Sequence, residues 1–139
     1  MSVDSAGMAA RLGIKPGMVV QELGWDEDAD EDLRDAVIDL SGSEMVDEDT
    51  DEVADVVLLW WREDDGDLVD ALVDAIASLA DDGVVWLLVP KSGRPGHVEQ
   101  GDVTEAAPTA GLSQTSSISA AKDWSGIRLV TPKAARTRR

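Results

Sequence analysis

Asp55-Val56-Val57-Leu58-Leu59-Trp60-Trp61, then Asp67 and a stripe of Leu68, Leu72, Ile76 and Leu79, then Val84-Val85-Trp86-Leu87-Leu88-Val89, decide the fold of this chain. The first and last of these runs are apolar at successive positions, so both faces of each strand must be covered, as in a parallel sheet. The segment between them repeats at the three- and four-residue spacing of one helix face. Asp67 stands where an N-cap is needed, and Asp81-Asp82-Gly83 marks where the helix should stop. A strand, a helix and a strand in this order make a crossover unit with parallel strands.

Working outward, Met18–Leu23 reads as a first strand, preceded by one helical turn over Met8–Leu12 that Gly13 and Pro16 stop. Asp30–Leu40 reads as a helix, with Leu33, Ala36, Val37 and Leu40 on one face and Gly42 as its cap. Glu44–Asp47 is a short edge strand. Beyond the crossover unit, Pro90–Gly101 is a loop. Asp102 and Glu105 have the spacing of a capping box for a short helix that Pro108 should kink or shorten and Gly111 should end. Gln114–Ala120 and Ile127–Thr131 pair as a hairpin around Lys122-Asp123-Trp124-Ser125-Gly126. The expectation is an α/β fold: a mostly parallel, Rossmann-like sheet with helices on both faces and a C-terminal antiparallel hairpin. Residues 8–132 form its single domain, between a disordered segment 1–7 and a basic disordered tail 133–139.

With 139 residues, one core is expected to bury about two-thirds of the unfolded surface. Its five aromatics are all tryptophan and it has no cysteine, which excludes disulfides, thiolate metal sites and Cys nucleophiles. No apolar stretch is long enough to span a bilayer, and no secretory pattern opens the chain, so a cytoplasmic location is expected. Residues 1–82 hold 25 Asp/Glu against 4 Lys/Arg, whereas residues 83–139 hold 4 against 8. An acidic body repels nucleic acid and anionic membranes, so neither is expected as a partner. A solvated surface and a docking face for a basic protein are both compatible with it.

Two segments resemble class I S-adenosylmethionine-dependent methyltransferases. Pro16-Gly17-Met18-Val19-Val20 through Gly24 is similar to their lead-in and first strand. Leu79-Ala80-Asp81-Asp82-Gly83-Val84-Val85-Trp86-Leu87 is similar to their entry into the fifth strand. The resemblance implies a reduced version of that topology, lacking a third strand and its helix. It implies strand order second-first-third-fourth-sixth-fifth, the last strand antiparallel. Asp26 and Asp28 stand where that family has turn glycines, so among its cofactor-binding positions only Gly24 carries over. A longer resemblance, over Val53–Arg62, Asp67–Lys91 and Ala110–Lys133, is to a family of small acidic actinobacterial proteins, the domain of unknown function three-zero-five-two. It implies the same topology and no particular activity.

Open α/β sheets bind ligands beyond the carboxyl ends of their strands. Gly24, Trp25, Asp47, Trp60 and Lys91 are therefore the candidates for a residual ligand cleft. Asp26, Asp28, Asp30, Asp64, Asp65 and Trp124, the last at the expected hairpin tip, are the candidates for holding a protein partner. Asp26, Asp28 and Asp30 have the spacing that opens an EF-hand loop, but Glu31 stands where its glycine belongs and Val37 where its bidentate Glu belongs. No metal and no cofactor is expected. His97 with Lys91 and Arg94 makes a chemically varied loop, but nothing in the sequence orients the histidine for a triad. The reading is a non-enzymatic binding or regulatory module; a small-molecule binder or enzyme using the residual cleft is the alternative. Oligomeric state is left open.

Overall fold

The computed structural model describes residues 5–131, with four α-helices and five strands among them and one 3-10 turn at Glu63–Asp65. In chain order the helices and strands are α1 (Ser5–Arg11), β1 (Val20–Leu23), α2 (Glu31–Ser41), β2 (Ala54–Trp60), α3 (Leu68–Ala75), β3 (Leu79–Pro90), α4 (Gln100–Thr109), β4 (Ser113–Ser119) and β5 (Trp124–Val130). The strands form one sheet in the order β1-β2-β3-β5-β4. β1, β2 and β3 are mutually parallel, and β5 runs antiparallel to both β3 and β4. The expected edge strand at Glu44–Asp47 shrinks to one parallel bridge, Gln21 to Val46, on the outer side of β1. Counting that bridge, the implied strand order is met.

The sheet separates two cores, and from Val56 onward, past an irregularity between Ala54 and Val56, the residues of β2 alternate between them. Val57, Leu59 and Trp61 face α3 and α4, whereas Val56, Leu58 and Trp60 face α1 and α2. Trp60 and Trp61 thus point to opposite faces. On the α1 side, Trp86 donates from Nε1 to the Leu12 carbonyl at 2.8 Å, which ties the end of the first helix to the sheet.

Two expected caps are found: Asp67 opens α3, and Gly42 closes α2 with its N–H on the Ile38 carbonyl. Asp30, expected as the first helical residue, is the N-cap of α2. The Asp30 side chain accepts from Leu33 N, and that of Asp67 accepts from Val69 N and Asp70 N. Three local expectations are corrected. α3 ends at Ala75, and Leu79 opens β3 by pairing with Ala54, instead of completing the helical stripe. Backbone pairing wins there, and Gly83 makes room for the Leu79 side chain: a Cβ on Gly83 would lie 2.5 Å from Leu79 Cδ1. α4 begins ahead of Asp102, with Glu99 at its N-cap and no side-chain cap bond, so Asp102 and Glu105 make no capping box. Trp124 is the first residue of β5 and is 3 % exposed, so it is not at a hairpin tip. The turn is made by residues 120–123, closed by bonds from Ala120 N and Ala121 N to the Trp124 carbonyl.

Of the segment expected to be disordered at the N-terminus, residues 5–7 fall within α1 and residues 1–4 lie outside the described residues. The tail at 133–139 also lies outside them. No described helix is long and apolar enough to cross a membrane.

Candidate functional site

The carboxyl ends of β1 and β2 meet at Gly24. Its φ is +76°, and a Cβ built on it would stand 2.3 Å from the Trp60 carbonyl oxygen. The glycine is required by the approach of two strands of this chain, whatever the ligand. The chain then turns through Trp25–Asp30 into α2, and two arginines hold that turn.

Arg62 is the centre of the site, and sequence reading missed it. Its Nη1 donates to the Gly24 carbonyl at 2.7 Å and to the Trp60 carbonyl at 3.3 Å. Its Nε donates to Asp28 Oδ2 at 3.0 Å, and its Nη2 pairs with Asp28 Oδ1. Asp65 completes the set: its Oδ2 accepts from Arg62 N at 3.0 Å and lies 3.3 Å from Nη1. The side chain is only 12 % exposed. The Arg62 hydrogen bonds, the largest influence on it, hold the Asp28 carboxyl below the usual carboxylate range. Burial pulls the Arg62 pKa down, but the bonds from Asp28 and Asp65 outweigh it and leave the guanidinium more firmly charged than usual.

Arg34, from α2, makes the second clamp. It grips Glu22 in a fork, Nε to Oε2 at 2.5 Å and Nη2 to Oε1 at 2.7 Å, and reaches Glu31 at 2.8 Å. Those partners, Glu22 foremost, raise its pKa. Glu22 also accepts from Trp60 Nε1 at 2.9 Å. The Trp25 ring lies under the Arg34 guanidinium, 5.6 Å from centroid to carbon, and its Nε1 donates to Glu31 at 3.2 Å.

The candidate cleft is only partly assembled. Gly24, Trp25 and Trp60 line one groove of about 610 Å³, together with Gln21, Leu59, Trp61 and part of α3. Asp47 and Lys91 do not line it. The Asp47 carbonyl accepts from Gln21 Nε2, and Lys91 N donates to the Asp123 carbonyl. The candidate partner-binding residues divide in the same way. Asp28, Asp30 and Asp65 are spent on internal bonds, as shown above. Asp26 and Asp64 are exposed; among the described residues the Asp26 side chain bonds only to the neighbouring Glu27 N, and its carbonyl accepts from Ala29 N. Trp124 is buried, donates to the Asp28 carbonyl at 3.2 Å, and packs edge-on against Trp60 at 4.8 Å and 81°. A buried tryptophan cannot anchor a partner, and it serves the core instead.

In the Lys91–His97 loop, Arg94 pairs with Asp123 at 2.7 Å, and His97 Nδ1 lies 3.0 Å from the Pro90 carbonyl. Among the described residues, no three His, Cys, Asp or Glu are grouped to hold a metal ion. One signal for Arg62 and Arg34 lay in the sequence: they are two of only four basic residues in the first 82. A rare cation among that many carboxylates will be claimed by several of them.

Solved structures similar in fold to this chain include class I methyltransferases. Similar chains include the pyocyanin biosynthetic protein PhzM, at TM-score 0.67 and 12 % identity over 92 % of this chain and 54 % of that one. An S-adenosylmethionine-dependent methyltransferase from Aquifex aeolicus matches at TM-score 0.62 and 13 % identity, over 91 % of this chain and 88 % of that one. This chain therefore spans about half the length of PhzM. The likeness shows a methyltransferase-like, Rossmann-like fold. Residues 9–133 match the family described as a protein of unknown function, DUF3052, and the chain belongs to it. Uncharacterised proteins of Mycobacterium tuberculosis and Mycobacterium bovis are each 57 % identical to it over 129 residues, 93 % of this chain and 81 % of theirs.

Proposed function

We propose that this protein is a non-enzymatic binding or regulatory module on a methyltransferase-like fold, and that it acts by holding a protein partner. One observation carries the reading. Where an open α/β sheet receives its ligand, beyond the carboxyl ends of adjacent strands, this chain places its own Arg62 guanidinium on the Gly24 and Trp60 carbonyls and the Asp28 carboxylate. A cofactor would have to displace a buried cation with several bonds of its own. The Asp26 and Asp28 positions add carboxylates where a close backbone approach would be needed. The net charge of −17 suits a partner that carries positive charge.

Titration calorimetry with S-adenosylmethionine tests the reading. The expected result is no binding tighter than about millimolar, a level worth only ~4 kcal/mol. Micromolar binding would overturn it. The competing reading, a small-molecule binder or enzyme, draws on the groove beside Gly24, whose volume falls in the range of small-ligand sites. A metabolite panel that raised Tm through one compound would establish it.

A further inference from the structure

The groove of about 610 Å³ runs along the α3 side of β1. Its floor is Leu23, Leu59 and Trp61, and one wall is α3. Two features mark it as unfinished. Gln21 points into this face, since Val20 and Glu22 on either side of it turn toward α1 and α2. It is 3 % exposed, and its Nε2 donates to the Asp47 carbonyl at 3.0 Å. That bond fixes the amide's orientation, because a carbonyl cannot accept from Oε1. The buried Gln21 Oε1 is then an acceptor with no donor among the described residues.

The second feature is charge. Asp26, Glu48, Asp65 and Asp74 line the groove against a single cation, Arg62, which is already committed to Asp28 and Asp65. Glu48 and Asp74 are exposed and unpaired among the described residues. What fits an unmet acceptor, free carboxylates and an apolar floor is a donor-bearing cation on an apolar body. Trp25, 49 % exposed at the mouth, adds one of the side-chain types enriched in protein hot spots. The groove follows a strand of four residues, about 13 Å, the length of two to three helical turns.

We propose that this groove binds a basic amphipathic segment of a partner protein. An arginine or lysine of that segment donates to Gln21 Oε1 and faces Asp74, and its apolar neighbours lie on Leu23, Leu59 and Trp61. The proposal rests on the reading of the protein as a binding module and locates the surface that does the binding.

The test uses the full chain labelled with ¹⁵N and an acetylated, amidated twelve-residue helical peptide of leucine and arginine. A second peptide with glutamate for arginine, and arginine amide alone, are the controls. The leucine–arginine peptide is expected to shift the Gln21 side-chain amide and the Trp25 and Trp61 indole resonances, while the glutamate peptide shifts none. Gln21→Leu and Asp74→Asn should each weaken binding by about tenfold, and Asp39→Asn, exposed on α2 and outside the groove, should not. Asp74 is exposed on α3, so its variant keeps the test sound should Gln21→Leu fail to fold.

Binding indifferent to both groove variants, or shifts confined to other acidic surfaces, would overturn the proposal. So would arginine amide binding as tightly as the peptide, which would make the groove a small-ligand site. Equal shifts on deleting residues 132–139 would also overturn it, by assigning the groove to this chain's own basic end. Loss of peptide binding with no S-adenosylmethionine binding counts against this inference alone, whereas micromolar S-adenosylmethionine binding counts against the reading beneath it.

Discussion

The Arg62 guanidinium lies 5.2 Å from the centroid of the Trp124 ring, and that ring's Nε1 donates to the carbonyl of Asp28, whose carboxylate grips Arg62 in turn. The three residues close a loop of contacts between the end of β2, the start of β5 and the turn after β1. A cation over an indole is worth about 0.5–2 kcal/mol depending on desolvation, and here the cation is largely withdrawn from water. The contact therefore joins the acidic turn to the core instead of leaving it free for ligands.

Arg62→Ala should destabilise the protein by about 2–3 kcal/mol in urea unfolding. It removes the donors to the Gly24 and Trp60 carbonyls and leaves Asp28 and Asp65 to repel each other. Arg62→Lys should recover less than half of that, because an ammonium cannot reproduce the planar fork on Asp28.

Trp124→Ala should cost about 3–5 kcal/mol, the range for emptying a large core position. Asp64→Asn, in the exposed turn, should stay within about 0.5 kcal/mol. The contrast checks that the tryptophan is a core residue and that the acid is a surface one.

Gly24→Ala should lose about 3 kcal/mol. A positive φ alone costs a non-glycine residue roughly 1–2 kcal/mol, and the new methyl would meet a carbonyl oxygen at 2.3 Å. Its unfolding midpoint should fall well below that of Gly42→Ala, where a Cβ meets open space and only the backbone term applies.

The Asp28–Arg62 pair sets a pH dependence. Because the folded-state pKa of Asp28 lies below its ordinary 3.8, the unfolded chain takes up the proton first. The stabilisation is complete above that ordinary value and is lost as pH falls through the lower folded-state value. With 54 % of the Asp28 side chain exposed, it should amount to no more than about 1 kcal/mol. The stability gap between the native protein and Asp28→Asn should stay constant from about pH 7 to 5 and then close below about pH 4. Urea midpoints at several pH values read it directly.

What the sequence determined by itself is local. The apolar runs Val56–Trp61 and Val84–Val89, the Leu68 and Leu72 part of the helical stripe and the caps at Asp67 and Gly42 are all written in near neighbours, and the structure keeps them. The strand order came from resemblance to a known topology. Where the local reading failed, a distant partner had intervened: Ala54 took Leu79 from the helix into the sheet, and the core took Trp124 from the turn. The site is of the second kind. Arg62 was one charge among many until folding brought Gly24, Asp28, Asp65 and Trp124 around it. Gln21 gained its unmet acceptor only when the Asp47 carbonyl claimed its donor. Periodicity records which face of an element is buried, because burial repeats along the chain. It carries no record of which single side chain meets which across the fold, and those meetings decide both the arginine clamp and the open groove.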